Sequence, residues 1–319
     1  MVETVNILLD GLVISDQSGF FNVEVAGEQI ITCRLRGRLM EEARSSDIAT
    51  IGDRVKITLQ EDGTGTIEDV LPRTSALSRA VRTVGRRGEG QPDREQVIIA
   101  NADQAVFVFA AAQPPPNLKM LDRFLVAGEK SDIGKLMIVV NKIDLKDDDE
   151  IHETFAIYEK LGYQVLYTSA REKIGVERLQ DILKDHTSVF TGPSGVGKTS
   201  LLNVIQPGLG RVVKEVSRRR AEGIHTTRDS VLIKLDMGGY LADTPGMRNL
   251  MLWDIEPEEL DGYFPEIAPL VGQCRFNDCS HFDEPGCAVN EAAEEGKIAE
   301  SRYESYLDLR MELEEAYAL

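Results

Sequence analysis

The segment 192–199 constrains the fold more than any other part of this sequence. It is Gly-Pro-Ser-Gly-Val-Gly-Lys-Thr, which fits the pattern G-x-x-x-x-G-K-[ST], and it lies between a short apolar run and a helical run. The glycines of such a loop allow backbone N–H groups to surround phosphate oxygens, and the following helix N-terminus adds partial positive charge. The pattern therefore predicts a phosphate-binding loop in an α/β domain, the alternative being a chance glycine-rich turn.

Apolar strands alternate with helical runs between residues 96 and 250. Such alternation predicts a doubly wound, mostly parallel sheet. The predicted strands are Ala105–Ala111, Leu136–Val140, Gln164–Thr168, Ser188–Thr191, Val231–Leu235 and Tyr240–Ala242. The predicted helices are Leu118–Lys130, Glu150–Leu161, Val176–Leu183 and Lys198–Ile205.

Residues 1–72 are predicted to form a separate all-β domain. Its β-rich runs are Ile7–Ile14, Phe20–Val25, Gln29–Leu35, Val55–Leu59 and Thr66–Leu71. Five short strands separated by Gly and Asp favour a small barrel. An OB-fold barrel is the leading candidate and another small β-domain is the alternative.

Two further segments flank the α/β domain. Residues 73–95 contain six arginines and three acidic residues, and are interpreted as a flexible basic linker that either contacts phosphates or is a solvated loop. Residues 251–319 begin with a proline-interrupted stretch and end in an acidic helical segment, Glu291–Ala318. The sequence thus predicts a multidomain protein with a mainly helical C-terminal domain.

A second motif, Asn141-Lys142-Ile143-Asp144, follows a buried strand, where ligands of open α/β sheets gather. A carboxylate at this point can accept hydrogen bonds from N1–H and N2–H₂ of guanine. Adenine lacks this pair of donors, so its binding would leave a buried carboxylate unpaired, at a cost of ~1–3 kcal/mol or more. With the phosphate loop, the motif predicts GTP as the nucleotide. If the protein were a kinase or an ATPase, the match of residues 141–144 to the guanine motif would have to be accidental.

Three further segments complete the predicted site. Asp243, of the segment 243–246, is expected to hold the Mg²⁺ shell, and the Gly246 N–H to contact the γ-phosphate. Either Thr226 or Thr227 is expected to provide a further Mg²⁺ ligand beside Thr199. A backbone N–H of residues 168–170 is expected near guanine O6. The residues predicted to bind GTP are Asn141, Lys142, Ile143, Asp144, Ser169, Ala170, Gly192, Pro193, Ser194, Gly195, Val196, Gly197, Lys198, Thr199 and Ser200.

Hydrolysis requires a group that orients the attacking water. Many GTPases use a glutamine after the D-x-x-G segment, but here that position is Met247. His225 is the candidate for the role; the alternative is that it only packs or caps its loop. The segment 218–220, Arg-Arg-Arg, either contacts RNA phosphates, stabilises transition-state charge or is a solvated loop. The residues predicted to act in catalysis are Lys198, His225, Thr226, Thr227 and Gly246.

Three cysteines and one histidine lie within fourteen residues: Cys274, Cys279, His281 and Cys287. Three thiolates and an imidazole suit tetrahedral Zn²⁺, and no position remains for water, so the predicted zinc site is structural. Scattered free thiols are the alternative. Cys33, His152 and His186 are interpreted as ordinary residues without a functional role.

The order of the motifs is unusual, because the guanine motif precedes the phosphate loop. Translation-factor-type GTPases have the opposite order, so this arrangement is a circular permutation, which a sheet tolerates because strand neighbours form the site. With this order, the segment 223–227 (Gly-Ile-His-Thr-Thr) and the cluster 274–287, the sequence resembles the RsgA (YjeQ) family of permuted GTPases. The resemblance covers nearly the whole chain. Arg228 departs from it, because the family tends to have a third threonine there.

The resemblance implies an OB-fold, a GTPase core, a zinc-binding C-terminal domain and GTP hydrolysis that the small (30S) ribosomal subunit stimulates. It implies GTP or GDP, this subunit and 16S rRNA as partners. No apolar run approaches the roughly 20 residues needed to span a bilayer, so a cytoplasmic protein, expected to be a monomer, is predicted.

The net charge bears on the choice of partner. The chain has 54 acidic and 36 basic residues, a net charge of −18, which opposes nonspecific binding to nucleic acid. A sum over the chain can nevertheless hide a basic face, and the arginines of 73–95 favour RNA. The alternative function is a regulatory GTP-binding switch that recruits a protein partner.

Overall fold

The computed structural model describes residues 8–17, 19–42, 48–81, 94–213, 230–243 and 255–317. These ranges contain thirteen described strands and seven described α-helices, here numbered in chain order. They include the phosphate loop, the guanine motif and the cysteine cluster. Outside them lie the predicted residues His225, Thr226, Thr227, Gly246 and the arginines 218–220.

The N-terminal domain is a closed five-stranded barrel. Its strands are β1 (Leu8–Gln17), β2 (Phe20–Val25), β3 (Gln29–Leu35), β4 (Arg54–Leu59) and β5 (Gly65–Val70). Neighbours pair in the order β1-β2-β3-β5-β4, and β4 pairs again with β1 to close the barrel. Helix α1 (Gly37–Glu42) lies between β3 and β4. Alternate strand residues point inward to form the core, and the predicted OB-fold barrel is confirmed.

The segment 73–95 differs from its prediction. Residues Ala76–Val81 form β6, which pairs antiparallel with β7 (Arg94–Ala100), so a linker over the whole segment was wrong. The strands form because alternate apolar side chains are buried: Leu77 and Ile99 join the core of the α/β domain, and Val97 is also buried. Arginines and glycines between these residues conceal the alternation in the sequence.

The central domain is a six-stranded sheet with helices on both faces. Its strands are β8 (Gln104–Ala110), β9 (Leu136–Asn141), β10 (Gln164–Tyr167), β11 (Thr187–Thr191), β12 (Ser230–Lys234) and β13 (Tyr240–Asp243). Its helices are α2 (Leu118–Lys130), α3 (Asp148–Lys160), α4 (Val176–Leu183) and α5 (Lys198–Ile205). The order is β10-β9-β8-β11-β13-β12, with only β12 antiparallel to its neighbour. The predicted doubly wound sheet is therefore confirmed.

Strand β8 shows why the sheet is covered on both faces. Phe107 and Phe109 point to one face, where their rings lie 5.6 and 6.0 Å from the ring of Phe124 on α2. Val106 and Val108 point to the other face and join the core formed with α4 and α5. Because successive strand residues alternate between faces, an uninterrupted apolar strand supplies two cores.

The barrel and the central sheet share hydrogen bonds. Strand β1 pairs antiparallel with β12, with Ser15 opposite Val231, so that the two sheets form one eleven-stranded sheet. Glu24 of β2 reinforces this junction, since it accepts hydrogen bonds from Lys234 Nζ at 2.7 Å and from Tyr240 OH at 2.5 Å.

The C-terminal domain packs against α2. It contains the 3₁₀ helices Pro257–Tyr263 and Ala268–Leu270, followed by α6 (Ala288–Glu294) and α7 (Glu300–Tyr317). Gly296, with φ of 71°, lies between α6 and α7, so the predicted single helical segment from Glu291 is two helices. Arg302 of α7 is buried between Asp122 of α2 and Glu266. Among the residues described, the structure has no helix with the length and apolarity to cross a membrane.

Candidate functional site

Four predicted motifs lie at one edge of the central sheet. Strands β9, β10, β11 and β13 run parallel, so their carboxyl ends meet at the same edge. The guanine motif follows β9, residues 168–170 follow β10, the phosphate loop follows β11, and Asp243 ends β13. This is the edge at which open α/β sheets bind ligands.

The phosphate loop depends on two glycines. Gly192 has φ of 151°, and an added Cβ would lie 2.0 Å from the carbonyl oxygen of Val108. Gly197 has φ of 95°, and an added Cβ would lie 2.3 Å from Asn141 Nδ2. Any other residue would collide at either position, so the loop conformation explains both glycines.

Lys198, Thr199 and Ser200 form the first turn of α5, at the mouth of the loop. The Lys198 ammonium donates hydrogen bonds to the carbonyl oxygens of Gly192 and Pro193, each at 2.6 Å. The Thr199 and Ser200 side chains are exposed. The loop thus presents a cation and two hydroxyl groups beside a helix N-terminus, as phosphate binding requires.

Asn141 joins the guanine motif to the phosphate loop. Its Nδ2 donates to the carbonyl oxygen of Val196 at 2.9 Å. Its Oδ1 accepts from the Ala170 N–H at 3.1 Å and from Thr168 Oγ1 at 3.3 Å. The side chain is buried and makes hydrogen bonds at both ends, so one amide fixes the three loops relative to one another.

Lys142 and Asp144 lie on either side of this bridge. Lys142, with φ of 63°, donates from Nζ to the carbonyl oxygen of Gly195 at 2.7 Å and to that of Gln113. The exposed carboxylate of Asp144 accepts a hydrogen bond from Ser169 Oγ at 2.6 Å. This hydrogen bond ties the carboxylate to the loop after β10, at the sheet edge where the phosphate loop also lies.

Some predicted roles remain predictions. A backbone N–H of residues 168–170 was expected near guanine O6, and of these the Ala170 N–H donates to Asn141 Oδ1 in this structure. Asp243 is placed by its backbone, opposite Val231 in the β12–β13 ladder. Ile143 lies in the short 3₁₀ helix Ile143–Leu145.

Sequence reasoning did not indicate that the C-terminal domain comes close to the phosphate loop. A cavity of about 620 Å³ adjoins the phosphate loop at Pro193 and Val196. The loop 114–117 after β8 lines it, and so do Ser301 and Glu304 of α7. The prolines of this loop signal an irregular segment, but nothing in the sequence indicates that α7 lies across from it. A cavity beside the phosphate loop is therefore bordered by the C-terminal domain.

The predicted metal ligands form a second site in the C-terminal domain. The four ligand atoms lie within 4.8 Å of one another. His281 Nδ1 is 3.4 Å from Cys287 Sγ and 3.6 Å from Cys274 Sγ, and these two sulfurs are 3.9 Å apart. Zn–S and Zn–N bonds of about 2.3 and 2.1 Å give a tetrahedron with edges of about 3.8 Å between sulfurs and about 3.6 Å between nitrogen and sulfur. The observed spacing fits zinc.

Two thiols of this cluster, those of Cys279 and Cys287, are poor acids without a metal ion. Burial raises the pKa of Cys279 to about 12 and also raises the pKa of Cys287. A bound dication reverses this preference, because a coordinating thiol is deprotonated. The cluster is therefore suited to a cation rather than to free thiolates.

Comparison with known proteins gives matches over nearly the whole chain. The family model described as RsgA GTPase matches residues 70–253, and the model described as RsgA N-terminal domain matches residues 10–67. The small ribosomal subunit biogenesis GTPase RsgA of Gemmatimonas aurantiaca is 42% identical over 305 residues, covering 95% of this chain and 97% of that protein. The protein of that name from Thermotoga maritima is 42% identical over 314 residues, covering 97% and 98%.

Solved structures agree with these matches. The crystal structure of YjeQ from Thermotoga maritima has a TM-score of 0.76 and 39% identity, and the match covers 96% of this chain and 99% of that one. YloQ, described as a circularly permuted GTPase, has a TM-score of 0.72 and 31% identity, with 99% and 98% covered. The likeness thus extends to the order in which the strands occur along the chain.

Proposed function

The chain belongs to the RsgA family of circularly permuted GTPases, and from this premise we propose that it hydrolyses GTP to GDP and phosphate while assisting late maturation of the small (30S) ribosomal subunit. Its relatives from Gemmatimonas aurantiaca and Thermotoga maritima are named for biogenesis of that subunit. We further propose that the protein acts in the cytoplasm and as a monomer.

The hydrogen bond from Asn141 to the carbonyl oxygen of Val196 carries the nucleotide assignment. These residues are 55 positions apart and belong to motifs with different tasks. Because the bond brings the motifs together, the carboxylate of Asp144 can select guanine while the loop binds the phosphates of the same nucleotide.

The residues of this edge suggest how GTP is held. Lys198 Nζ would exchange its carbonyl partners for β- and γ-phosphate oxygens. Thr199 and Asp243, with either Thr226 or Thr227, would hold Mg²⁺, which neutralises charge developing on the phosphate oxygens. Gly246 would contact the γ-phosphate through its N–H.

A stacked pair on the barrel supports 16S rRNA as a partner. Phe20, at the start of β2, is 43% exposed, and the Arg34 guanidinium of β3 lies 4.4 Å from its ring centroid. OB-folds bind oligonucleotides on the face of their second and third strands. Stacking of an unpaired base on an aromatic ring contributes about 1–3 kcal/mol.

Replacing His225 with alanine is expected to lower GTP turnover by about 10²-fold and to leave GTP affinity nearly unchanged. The imidazole would orient the attacking water in the transition state and contribute little to ground-state binding. Single-turnover hydrolysis and equilibrium binding of a non-hydrolysable analogue measure the two quantities. His186→Ala, which removes an exposed imidazole elsewhere, is the matched control. An equal loss of affinity and turnover would reject the role.

The proposed function predicts that small ribosomal subunits stimulate GTP turnover. We expect an increase of at least about tenfold, because the chain has no glutamine after its D-x-x-G segment and relies on the partner to complete the catalytic site. Phosphate release is measured with 30S particles, with 50S particles and without ribosomes. ATP should not be hydrolysed under any of these conditions.

A pelleting assay with GTP-loaded and GDP-loaded protein identifies the partner. Phe20→Ala should reduce cosedimentation with 30S particles by roughly 5- to 150-fold, the factor that corresponds to the loss of one stacked base. Leu59→Ala, at another exposed apolar position of the barrel, is the control. If 30S subunits left GTP turnover unchanged and the protein bound neither subunits nor RNA, the result would instead favour a GTP-binding switch that recruits a protein partner.

A further inference from the structure

The imidazole of His281 has two different surroundings. Its Nδ1 faces the sulfurs of Cys287 and Cys274 at 3.4 and 3.6 Å. Its Nε2, on the opposite side of the ring, is buried and has no hydrogen-bond partner among the described residues. Since only one side faces the thiols, Nδ1 is the nitrogen that can bind a metal ion.

A carboxylate of another element faces the second nitrogen. Asp261 Oδ2 lies 3.5 Å from His281 Nε2, and the Asp261 side chain is 14% exposed. The ring of Tyr306 lies 6.0 Å from that of His281, but its hydroxyl group already donates to the carbonyl oxygen of Ser280 and accepts from Arg310. Asp261 is therefore the carboxylate that can accept a hydrogen bond from the Nε2–H group of His281.

The 3₁₀ helix Pro257–Tyr263 holds Asp261 in place. Its first turn is closed by reciprocal hydrogen bonds between Glu256 and Glu259. Leu260 and Phe264, on either side of Asp261, are fully buried against α2 and α7. The carboxylate is thus positioned by a packed element rather than by the cysteine loop itself.

We propose that Asp261 is the positioning residue of the zinc site, accepting the Nε2 proton of His281 so that Nδ1 is free to bind the ion. The present separation of 3.5 Å exceeds the roughly 2.9 Å of an ordinary N–H···O bond, so the proposal requires that the two groups would move closer when zinc is bound. A histidine that ligates zinc usually donates its other N–H to such a carboxylate, which fixes the tautomer and increases the basicity of the ligand nitrogen.

Asp261 also connects the metal site to the GTPase core. Its helix packs on α2, so zinc binding through His281 is tied to an element outside the cysteine loop. The proposal concerns metal binding alone, so it can fail or succeed independently of the GTPase activity.

The first test measures zinc affinity of the full-length protein by competition with a chromophoric chelator. Asp261→Ala is expected to weaken zinc binding by about 10- to 100-fold, with Asp261→Asn in between because its amide oxygen can still accept the proton. Glu258→Ala removes an exposed carboxylate from the same helix and should leave affinity unchanged. Affinity of Asp261→Ala within about twofold of the unmodified protein overturns the proposal.

The second test needs no variant. In the zinc-loaded protein with ¹⁵N-labelled histidine, long-range ¹H–¹⁵N spectra should show His281 with its proton on Nε2 and the metal on Nδ1. A proton on Nδ1 overturns the proposal.

Replacing zinc with cobalt in the Asp261→Ala variant separates weakened metal binding from misfolding. The absorption bands of tetrahedral cobalt report whether the site has formed. The proposal requires those bands at saturating cobalt, and their absence would assign Asp261 a folding role instead.

Discussion

Replacing Asp144 with alanine is expected to lower the affinity for GTP by about 10² to 10⁴-fold and to remove the preference for GTP over ATP. A carboxylate that accepts two hydrogen bonds from guanine contributes about 1.5–3 kcal/mol with each, and every 1.4 kcal/mol is a factor of ten. Ser169 keeps this carboxylate in the site through its hydroxyl group. Titration with fluorescent GTP and ATP analogues measures both changes.

Two comparisons make this test specific. Asp148→Ala removes an exposed carboxylate four positions away, at the start of α3, and should leave GTP affinity close to that of the unmodified protein. Asp144→Asn should bind xanthosine triphosphate better than GTP, because its amide N–H can donate to the oxygen that replaces the guanine amino group. Equal losses in Asp144→Ala and Asp148→Ala would contradict the assignment of position 144 to the base.

Replacing Arg302 with methionine is expected to destabilise the protein by about 3–5 kcal/mol. The guanidinium is buried, with Nε 2.6 Å from Glu266 Oε1 and Nη1 2.6 Å from Asp122 Oδ1. Without it, two buried carboxylates would lack a counter-charge, and removal of one partner from a buried ion pair costs about this much. Urea unfolding followed by circular dichroism measures the loss.

The pH dependence of this loss follows from the same geometry. Burial already raises the pKa of Asp122, in opposition to Arg302, and removal of the guanidinium should raise it further. A carboxyl whose pKa is raised on folding binds its proton more tightly in the folded state, so stability is regained as pH falls. The deficit of Arg302→Met should therefore be smaller at acidic pH than at neutral pH.

A neighbouring ion pair serves as the control. Arg123 of α2 pairs with Glu312 of α7, joining the same two helices, but Glu312 is 48% exposed. Arg123→Met should cost only about 0–1 kcal/mol, as expected for a surface pair. Similar losses in the two variants would mean that packing of the long side chain, not the buried charge, stabilises the contact between α2 and α7.

The strand and helix positions of the central domain were predictable because each motif has a fixed structural setting. A glycine-rich phosphate loop requires a strand before it and a helix after it, and α5 begins at Lys198 as predicted. Strand β9 is uniformly apolar and ends at the polar Asn141, so its end is visible in the sequence.

Contacts between distant residues were not predictable in this way. Asp122, Glu266 and Arg302 are ordinary charged residues in the sequence, and only folding shows that they are buried together. The same holds for Asp261, which lies 20 positions from His281 without a spacing rule that links them. Local patterns report on local structure, whereas these side chains meet because helices pack.

The pairing of β1 with β12 determines which parts of the molecule can move separately. Any swivel of the barrel about the edge of the central sheet must break backbone hydrogen bonds beside Ser15 and separate Glu24 from Lys234. A force applied to the barrel therefore acts on β12 through the hydrogen bonds between β1 and β12. Strand β12 begins at Ser230, three residues after Thr227. An RNA held on the barrel would pull on the strand that follows Thr226 and Thr227, the predicted Mg²⁺ ligands, in the chain.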